Sequence, residues 1–218
     1  MSDQVFCPEC GAPAPFRGTA VSVVCEYCDS TIVRTGADLR LVGKVSAIVD
    51  NGSPILLDSQ GKFDNLPFRI TGRLQVRYQR GTWNEWFLEF ADGTVGWLAD
   101  AMGSYAITKP RDKSIVAGRV PTCSQLSGGM TLSIDGKMAT VVDARGADYV
   151  GAEGALPFEA EPGIKFWSAD LRGPDGSFHT LDYGNTPDHQ EPELYTGQAV
   201  RLGELSLSST RRFQGWHA

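Results

Sequence analysis

The sequence has no apolar run that approaches the roughly 18 residues needed to span a membrane as a helix. Its first residues lack the basic and apolar regions of a secretory signal. Stretches of helical periodicity with capping residues are missing, whereas 25 glycines and 12 prolines favour many turns and short strands. These absences predict an all-β protein that has no transmembrane segment and is located in the cytoplasm.

The sequence also lacks a recognisable combination of catalytic residues. The chain has 3 histidines, and His179 and Asp182 lie three residues apart on a predicted strand, so they point to opposite faces. An acid–base pair must reach one reacting atom, and no phosphate-binding glycine loop or nucleophile elbow occurs. The sequence predicts that the protein is not an enzyme.

Basic residues are sparse in the last part of the chain. Residues 121–218 hold 7 basic and 13 acidic residues, within a net charge of −6 for the whole chain. Such a balance repels phosphates, so nucleic acid is not the expected partner. It would attract cations, polyamines or a basic protein, although acidic surfaces also serve solubility alone.

Four of the 5 cysteines form two C-x-x-C motifs, Cys7/Cys10 and Cys25/Cys28. Two such turns, 14 residues apart, are typical of a tetrahedral four-thiolate site, which leaves no open position for catalysis. We expect a structural Zn²⁺, with iron as an alternative, in a ribbon spanning residues 1–38. Two disulfides would be the other interpretation, disfavoured in a reducing compartment. The fifth cysteine, Cys123, is predicted to be a small buried residue.

A tryptophan-rich stretch predicts the centre of the β core. Trp86, Leu88 and Phe90 alternate and should share one buried face. Asp92-Gly93 is a tight-turn signal, so the stretch is interpreted as a hairpin. Farther along, Asp135-Gly136 predicts a second hairpin, and residues 164–171 and 177–183 predict a third.

The strand at residues 68–78 alternates between apolar and polar positions. This pattern predicts that Arg69, Arg73 and Arg77 share an exposed face. On the next strand, Glu85 and Glu89 would face them, so cross-strand ion pairing is expected, with a phosphate or lipid-headgroup site as the alternative.

A candidate partner-binding surface lies around the same hairpin. Phe87 is predicted on the outer face, close enough to stack with an arginine, and Trp83 in an exposed turn. The alternative is that Trp83 folds back to cap the end of a barrel. Exposed Trp and Arg are typical interface anchors, so the predicted partner-binding residues are Trp83, Phe87, Arg73 and Arg77.

The predicted fold class is all-β: a four-cysteine zinc ribbon followed by one or two small β-barrel or sandwich modules. Leu156-Pro157-Phe158 echoes Leu66-Pro67-Phe68 and raises a diverged tandem repeat as a hypothesis. The predicted divisions are a ribbon at 1–38, a first module at 39–113, a second at 114–207 and a loose tail at 208–218.

Several of these motifs together resemble the bacterial domain-of-unknown-function family 4178. The resemblance covers roughly residues 1–110 well and is carried by Leu41-Val42-Gly43, the 68–73 strand, Tyr78, the Trp83–Trp86 pair, Asp92-Gly93, Trp97-Leu98 and Met102-Gly103. It implies zinc-ribbon-plus-β modules that occur beside membrane-remodelling proteins of the phage-shock-protein-A type and spermidine-synthase-like enzymes. It transfers no catalytic residues.

The leading hypothesis is therefore a non-catalytic, cytoplasmic interaction or accessory module, linked by resemblance to bacterial membrane-stress or polyamine-related systems. Its expected partner is a protein, with a membrane-remodelling protein as one candidate. One alternative is a nucleic-acid-binding zinc-ribbon protein. The other is an undetected hydrolase or a polyamine-binding protein, which predicts an acidic pocket around Asp170, Asp182 and Glu153.

Overall fold

The computed structural model of the protein describes residues 5–35, 38–44, 48–160 and 163–212. Within these ranges the chain forms thirteen strands and three short 3-10 helices, without any α-helix, which confirms the all-β prediction. None of the described helices has the length and apolar character required to cross a membrane. The strands are β1 (Ser22–Val24), β2 (Ser30–Thr35), β3 (Asp38–Lys44), β4 (Gln60–Phe63), β5 (Leu66–Tyr78), β6 (Gly81–Phe90), β7 (Val95–Ala101), β8 (Ser104–Arg111), β9 (Thr131–Ile134), β10 (Lys137–Leu156), β11 (Lys165–Arg172), β12 (Ser177–Asp182) and β13 (Glu193–Val200).

Eight of these strands close into an antiparallel barrel. Strands β5 to β8 form one four-stranded meander and β10 to β13 form another. The two meanders join where β5 pairs with β10 and where β8 pairs with β13. Closure leaves no unpaired edge in the barrel wall, which removes the usual site of edge-to-edge association.

The segments 39–113 and 114–207 thus contribute four barrel strands each, and the pairings join them in one barrel. The Leu-Pro-Phe echo falls at the start of β5 but at the end of β10, so it does not mark equivalent positions of the two meanders. The predicted division points stay predictions. Residues 36–37, near the end of the predicted ribbon, and 213–218, in the predicted tail, lie outside the described residues.

The ribbon attaches to the barrel by a strand pairing. β1 pairs with the end of β10, where Ser22 is opposite Leu156, and β2 pairs with both β1 and β3. Side chains reinforce the attachment: Ser22 Oγ donates to the Phe158 carbonyl at 2.5 Å, and Arg40 forms an ion pair with Glu159 at 2.6 Å. β3 therefore continues the ribbon sheet and is not a barrel strand.

Turn chemistry explains the hairpins that the sequence predicted. Gly93, with a φ of 82°, closes the link between β6 and β7. Asp135 and Gly136 have φ values of 49° and 74° and form the two-residue link between β9 and β10, as expected for a type I′ turn. These local signals are strong because few residues tolerate positive φ.

A β-bulge in β5 changes which side chains share a face. The register with β6 shifts between Ile70 and Gly72. A Cβ at Gly72 would lie 2.2 Å from the Ala155 carbonyl oxygen, so glycine is required where β5 and β10 approach. Because of the extra residue, the exposed stripe of Arg69, Arg73 and Arg77 does not form. Arg73 instead packs over the Trp86 ring at 4.9 Å, on the face that Ile70 also occupies.

The largest apolar clusters lie on the outside of the barrel wall. One contains Trp86, which is 1% exposed, together with Leu88 and Phe90, and residue Ile55 of the 48–59 segment covers it. The predicted buried face of the hairpin is thereby confirmed. A second cluster, around Leu171 and Tyr183, is covered by the segment that joins β8 to β10. Each fully buried side chain of this size contributes roughly 1.5–3 kcal/mol.

Candidate functional sites: the cysteine cluster and the barrel cavity

Two similar turns present the four ribbon cysteines. The backbone N–H of Gly11 donates to the Cys7 carbonyl at 2.8 Å, and that of Asp29 donates to the Cys25 carbonyl at 2.9 Å. Both turn-closing residues have positive φ, 74° for Gly11 and 58° for Asp29. Glycine and aspartate are among the residues that adopt this conformation most readily, so the local sequence dictates both turns.

The sulfur geometry fits one tetrahedral metal ion. The Sγ atoms of Cys7 and Cys28 are 3.7 Å apart, as are those of Cys10 and Cys25, and all four lie within 4.8 Å of one another. Metal–sulfur bonds of about 2.3 Å in a tetrahedron require sulfur separations of about 3.8 Å. A disulfide requires about 2.05 Å, so the sulfurs are not bonded in pairs. Zinc and iron both suit this donor set.

The thiol of Cys28 ionises more readily than an ordinary cysteine. Hydrogen bonding to the hydroxyl and backbone of Ser30 lowers the pKa of Cys28 to about 6. The cluster is enclosed on one side by Phe16, Val23 and Ile32. These few apolar residues form a small core, so a bound metal would supply much of the ribbon's stability.

The interior of the barrel is a cavity. Its volume is about 560 Å³, within the 300–1,000 Å³ range typical of small-molecule sites. Side chains on the inner face alternate with those of the outer clusters along each strand: in β6, Trp83 and Glu85 point inward, whereas Asn84 and Trp86 point outward. The cavity-lining residues Glu85, Trp97 and Asp170 are only half-buried, because their side chains border this open space.

A chain of aromatic rings lines the cavity. Phe166 is central, 4.7 Å from the Tyr149 ring and 6.4 Å from the Trp83 ring. On one side the chain ends at Tyr78, and on the other it passes through the Phe158 ring to Trp97. Trp97 in turn lies 5.0 Å from Phe87, which belongs to the apolar cluster that joins the ribbon residue Val24 to the barrel interior.

Five carboxylates share this cavity with the aromatic rings: Glu85, Asp143, Asp170, Asp182 and Glu193. Glu85 accepts a hydrogen bond from the Trp83 Nε1–H at 2.7 Å, and Asp170 accepts one from the Thr180 hydroxyl at 2.7 Å. Burial raises the pKa of Glu85 to about 8 and that of Asp170 to about 6. It also raises the pKa of Asp182. Removal from water disfavours the charged form of each acid.

Two arginines border the same cavity. Arg145 forms an ion pair with Asp143 and stacks over the Tyr78 ring at 4.2 Å. Arg172 lies over the Phe178 ring at 5.6 Å and is exposed. The cavity lining thus holds five acidic and two basic side chains.

The structure separates the four predicted partner-binding residues. Arg77 is exposed, as expected. The predicted exposure of Phe87 is wrong: it is 1% exposed, because its strand face lines the barrel interior. Arg73 is 5% exposed and donates to Asn84 Oδ1 at 2.9 and 3.0 Å and to Glu153 at 3.4 Å. The predicted position of Trp83 in an exposed turn is wrong: it is a half-buried residue of β6 that points into the cavity, closer to the alternative in which it folds back onto the barrel. Whether any of the four binds a partner stays a prediction.

The acidic pocket predicted by the alternative of a hydrolase or polyamine-binding protein is formed in part. Asp170 and Asp182 both line the cavity, whereas Glu153 lies elsewhere, beside Arg73. Glu85, predicted to face outward and pair with an arginine, instead points inward. The signal that could have identified it is its position two residues from Trp83 and Phe87, which share its face.

The fold is a closed antiparallel β-barrel whose interior cavity is lined by aromatic rings and carboxylates, and it is joined to a four-cysteine cluster. The family model described as Domain of unknown function (DUF4178) matches residues 57–202, about two thirds of the chain. The chain belongs to this family. The match spans the barrel and leaves the ribbon outside, whereas the motifs of the sequence resemblance lie mainly within residues 1–110. Neither the curated proteins nor the solved structures contain a match to the chain.

Proposed function

We propose that the protein is a non-catalytic binding protein whose barrel cavity takes up a small ligand. The observation that carries this proposal is the cavity itself, with a volume of about 560 Å³ and a continuous aromatic wall. An interior filled only for stability would be packed at high density. Here the large apolar clusters around Trp86 and Leu171 lie outside the wall, and the buried cluster around Phe87 leaves part of the interior open for binding.

Catalysis is not part of the proposal. Of the described histidines, His179 does not line the cavity, and His189 is exposed in a loop. Cys123 is likewise outside the lining, and burial raises the pKa of its thiol, which disfavours a nucleophilic thiolate. The perturbed carboxylates of the cavity can be explained by ligand binding alone.

Three compounds that share an apolar phenylalkyl group and differ in their polar end test the proposal: 4-phenylbutylamine, 4-phenylbutan-1-ol and 4-phenylbutyrate. Titration calorimetry and the fluorescence of Trp83 and Trp97 would report binding, since both rings line the cavity. Ala99 also lines the cavity, so Ala99→Phe should fill it and abolish binding. Ala117→Phe makes the same change at an exposed loop position outside the cavity and should leave binding intact. No binding by any of the three compounds would refute the proposal.

The accessory role in a bacterial cytoplasm, beside a protein partner such as a membrane-remodelling protein, remains part of the proposed function. Its support is the resemblance and the exposed Arg77. Affinity capture from the native cell, with Arg77→Glu compared against Lys62→Glu at another exposed position, would test it. If both variants retain the partner equally, Arg77 is not part of the partner-binding surface.

A further inference from the structure

The strand register places like charges directly opposite each other inside the barrel. Asp143 of β10 is opposite Asp170 of β11, and Asp182 of β12 is opposite Glu193 of β13. Like charges in directly opposite positions destabilise a sheet. Two such pairs in one cavity therefore impose a cost on the empty protein that a bound cation would relieve.

The cations already present pair with only one of these acidic groups. Arg145 is engaged by Asp143. Among the described residues, Glu85, Asp170 and Asp182 form no ion pair; their hydrogen-bond donors are the Trp83 indole, the Thr180 hydroxyl and the Gly184 backbone N–H, all neutral. Neutral donors hold these acidic groups in place and supply no positive charge.

A single metal ion does not suit this arrangement. Among the described residues, the four ribbon cysteines lie close enough together to share one ion, whereas the cavity carboxylates do not form such a group. Carboxylates spread around a wide cavity suit a larger, organic cation.

The aromatic wall favours the same kind of ligand. Tyr149, Trp83 and Phe166 border the cavity together with Glu85 and Asp170. Aromatic faces attract cations, most strongly where water is excluded, and they also contact an apolar body. The guanidinium of Arg145, which lies over the Tyr78 ring, already makes such a cation–π contact with the wall.

Resting on the proposed binding function, we propose that the ligand of the cavity is a small organic cation, with an ammonium group carried on an apolar body. The ammonium group would meet Glu85 and Asp170, and the body would lie along the rings of Trp83 and Phe166. Thr180 and the Trp83 indole orient the two carboxylates toward the open space.

Binding of such a cation should be linked to proton release. Burial keeps Glu85 largely protonated at neutral pH in the empty protein. The acidic groups that act on it electrostatically are Asp170 of β11, Asp182 of β12 and Asp100 of β7, and Tyr149 of β10 interacts with it as well. An ammonium group favours the ionised carboxylates, so affinity should increase as pH rises from about 6 to about 8, by on the order of tenfold. An alkylammonium group stays charged in this range, because its pKa resembles that of lysine, about 10.4.

The same three phenylbutyl compounds test the preference for a cation separately from ligand binding itself. We expect 4-phenylbutylamine to bind at least tenfold more tightly than 4-phenylbutan-1-ol at pH 8, and 4-phenylbutyrate to bind most weakly. Glu85→Gln should reduce amine affinity about tenfold, leave alcohol affinity nearly unchanged and flatten the dependence on pH. Glu89→Gln is the matched control, since Glu89 lies on the same strand, is half-buried and does not line the cavity.

The outcomes are distinguishable. Equal affinity for amine and alcohol, or a preference for the carboxylate, would overturn the cation inference and leave the binding function standing. Amine binding that Glu85→Gln and Glu89→Gln weaken equally would also overturn it. Failure of all three compounds to bind would overturn both proposals. Circular dichroism of each variant, compared with the parent protein, ensures that a lost signal reflects the cavity and not an unfolded chain.

Discussion

The two faces of the barrel wall differ in what they carry. The outer face holds fully buried side chains such as Trp86, Leu88 and Leu171, which connecting segments cover. The inner face holds one buried cluster, around Phe87, and beside it half-buried carboxylates and aromatic rings around open space. Two of the three large clusters of the barrel thus lie outside its wall, and the open part of the interior carries groups that destabilise an empty fold. Three predictions test this separation.

The largest expected effect comes from the ribbon, which contacts the barrel interior at one end. We predict one Zn²⁺ per chain. Cys10→Ser should remove it, because apparent binding energies of structural zinc are on the order of 10–16 kcal/mol. The ribbon should then unfold, whereas the outer clusters should persist, since they share no side chain with it. Elemental analysis and amide hydrogen exchange would measure both effects.

The control for this change is Cys123→Ser. Cys123 is buried in an outer cluster and lies outside the cysteine group, so its replacement should retain the metal. Metal-free protein with oxidised ribbon thiols, or loss of protection throughout the barrel in Cys10→Ser, would contradict the prediction.

The second prediction compares two tryptophans three residues apart on β6. Trp86→Ala should cost about 3–5 kcal/mol of unfolding free energy, as is usual for a fully buried large side chain. Trp83→Ala should cost about 1–2 kcal/mol, because its half-buried ring borders open space and loses fewer contacts. Urea denaturation of both variants gives the comparison. Equal, large losses would show that the interior face stabilises the barrel as much as the outer face does.

The smallest expected effect is a gain in thermal stability on replacing Glu85. The raised pKa of Glu85 means that the folded protein binds more protons than the unfolded chain between about pH 4 and pH 8. Stability should therefore fall as pH rises through this window. Glu85→Gln removes the cost of ionising a buried acid, so it should raise Tm by a few degrees at pH 8.5 and hardly change it at pH 5. Melts in which the variant gains nothing at the higher pH would contradict the assignment, with Glu89→Gln again as the control.

Much of the four-cysteine cluster could be predicted from the sequence. Both C-x-x-C turns close through hydrogen bonds within five residues, so spacing alone identifies Cys7, Cys10, Cys25 and Cys28. The hairpins at Asp92-Gly93 and Asp135-Gly136 were predictable for the same reason, since each turn needs residues at positive φ, Gly93 in the first and Asp135 and Gly136 in the second.

The cavity could not be predicted in this way. Alternation identified that Trp86, Leu88 and Phe90 share a face, but it does not say whether that face points into a barrel or away from it. The expectation that Phe87 and Glu85 are exposed failed for this reason. The bulge at Gly72 added a second error, because one extra residue moves Arg73 to the opposite face.

The sequence by itself determined the strand class, the turns and the four-cysteine cluster, because each depends on residues close together in the chain. Only the tertiary structure decided that β10 pairs with β5 and β13 with β8, over separations that local signals do not encode. Those two pairings close the wall and bring Glu85 of one meander to face Asp170 and Asp182 of the other. The cavity exists only because both halves meet, so no single stretch of the sequence could have revealed it.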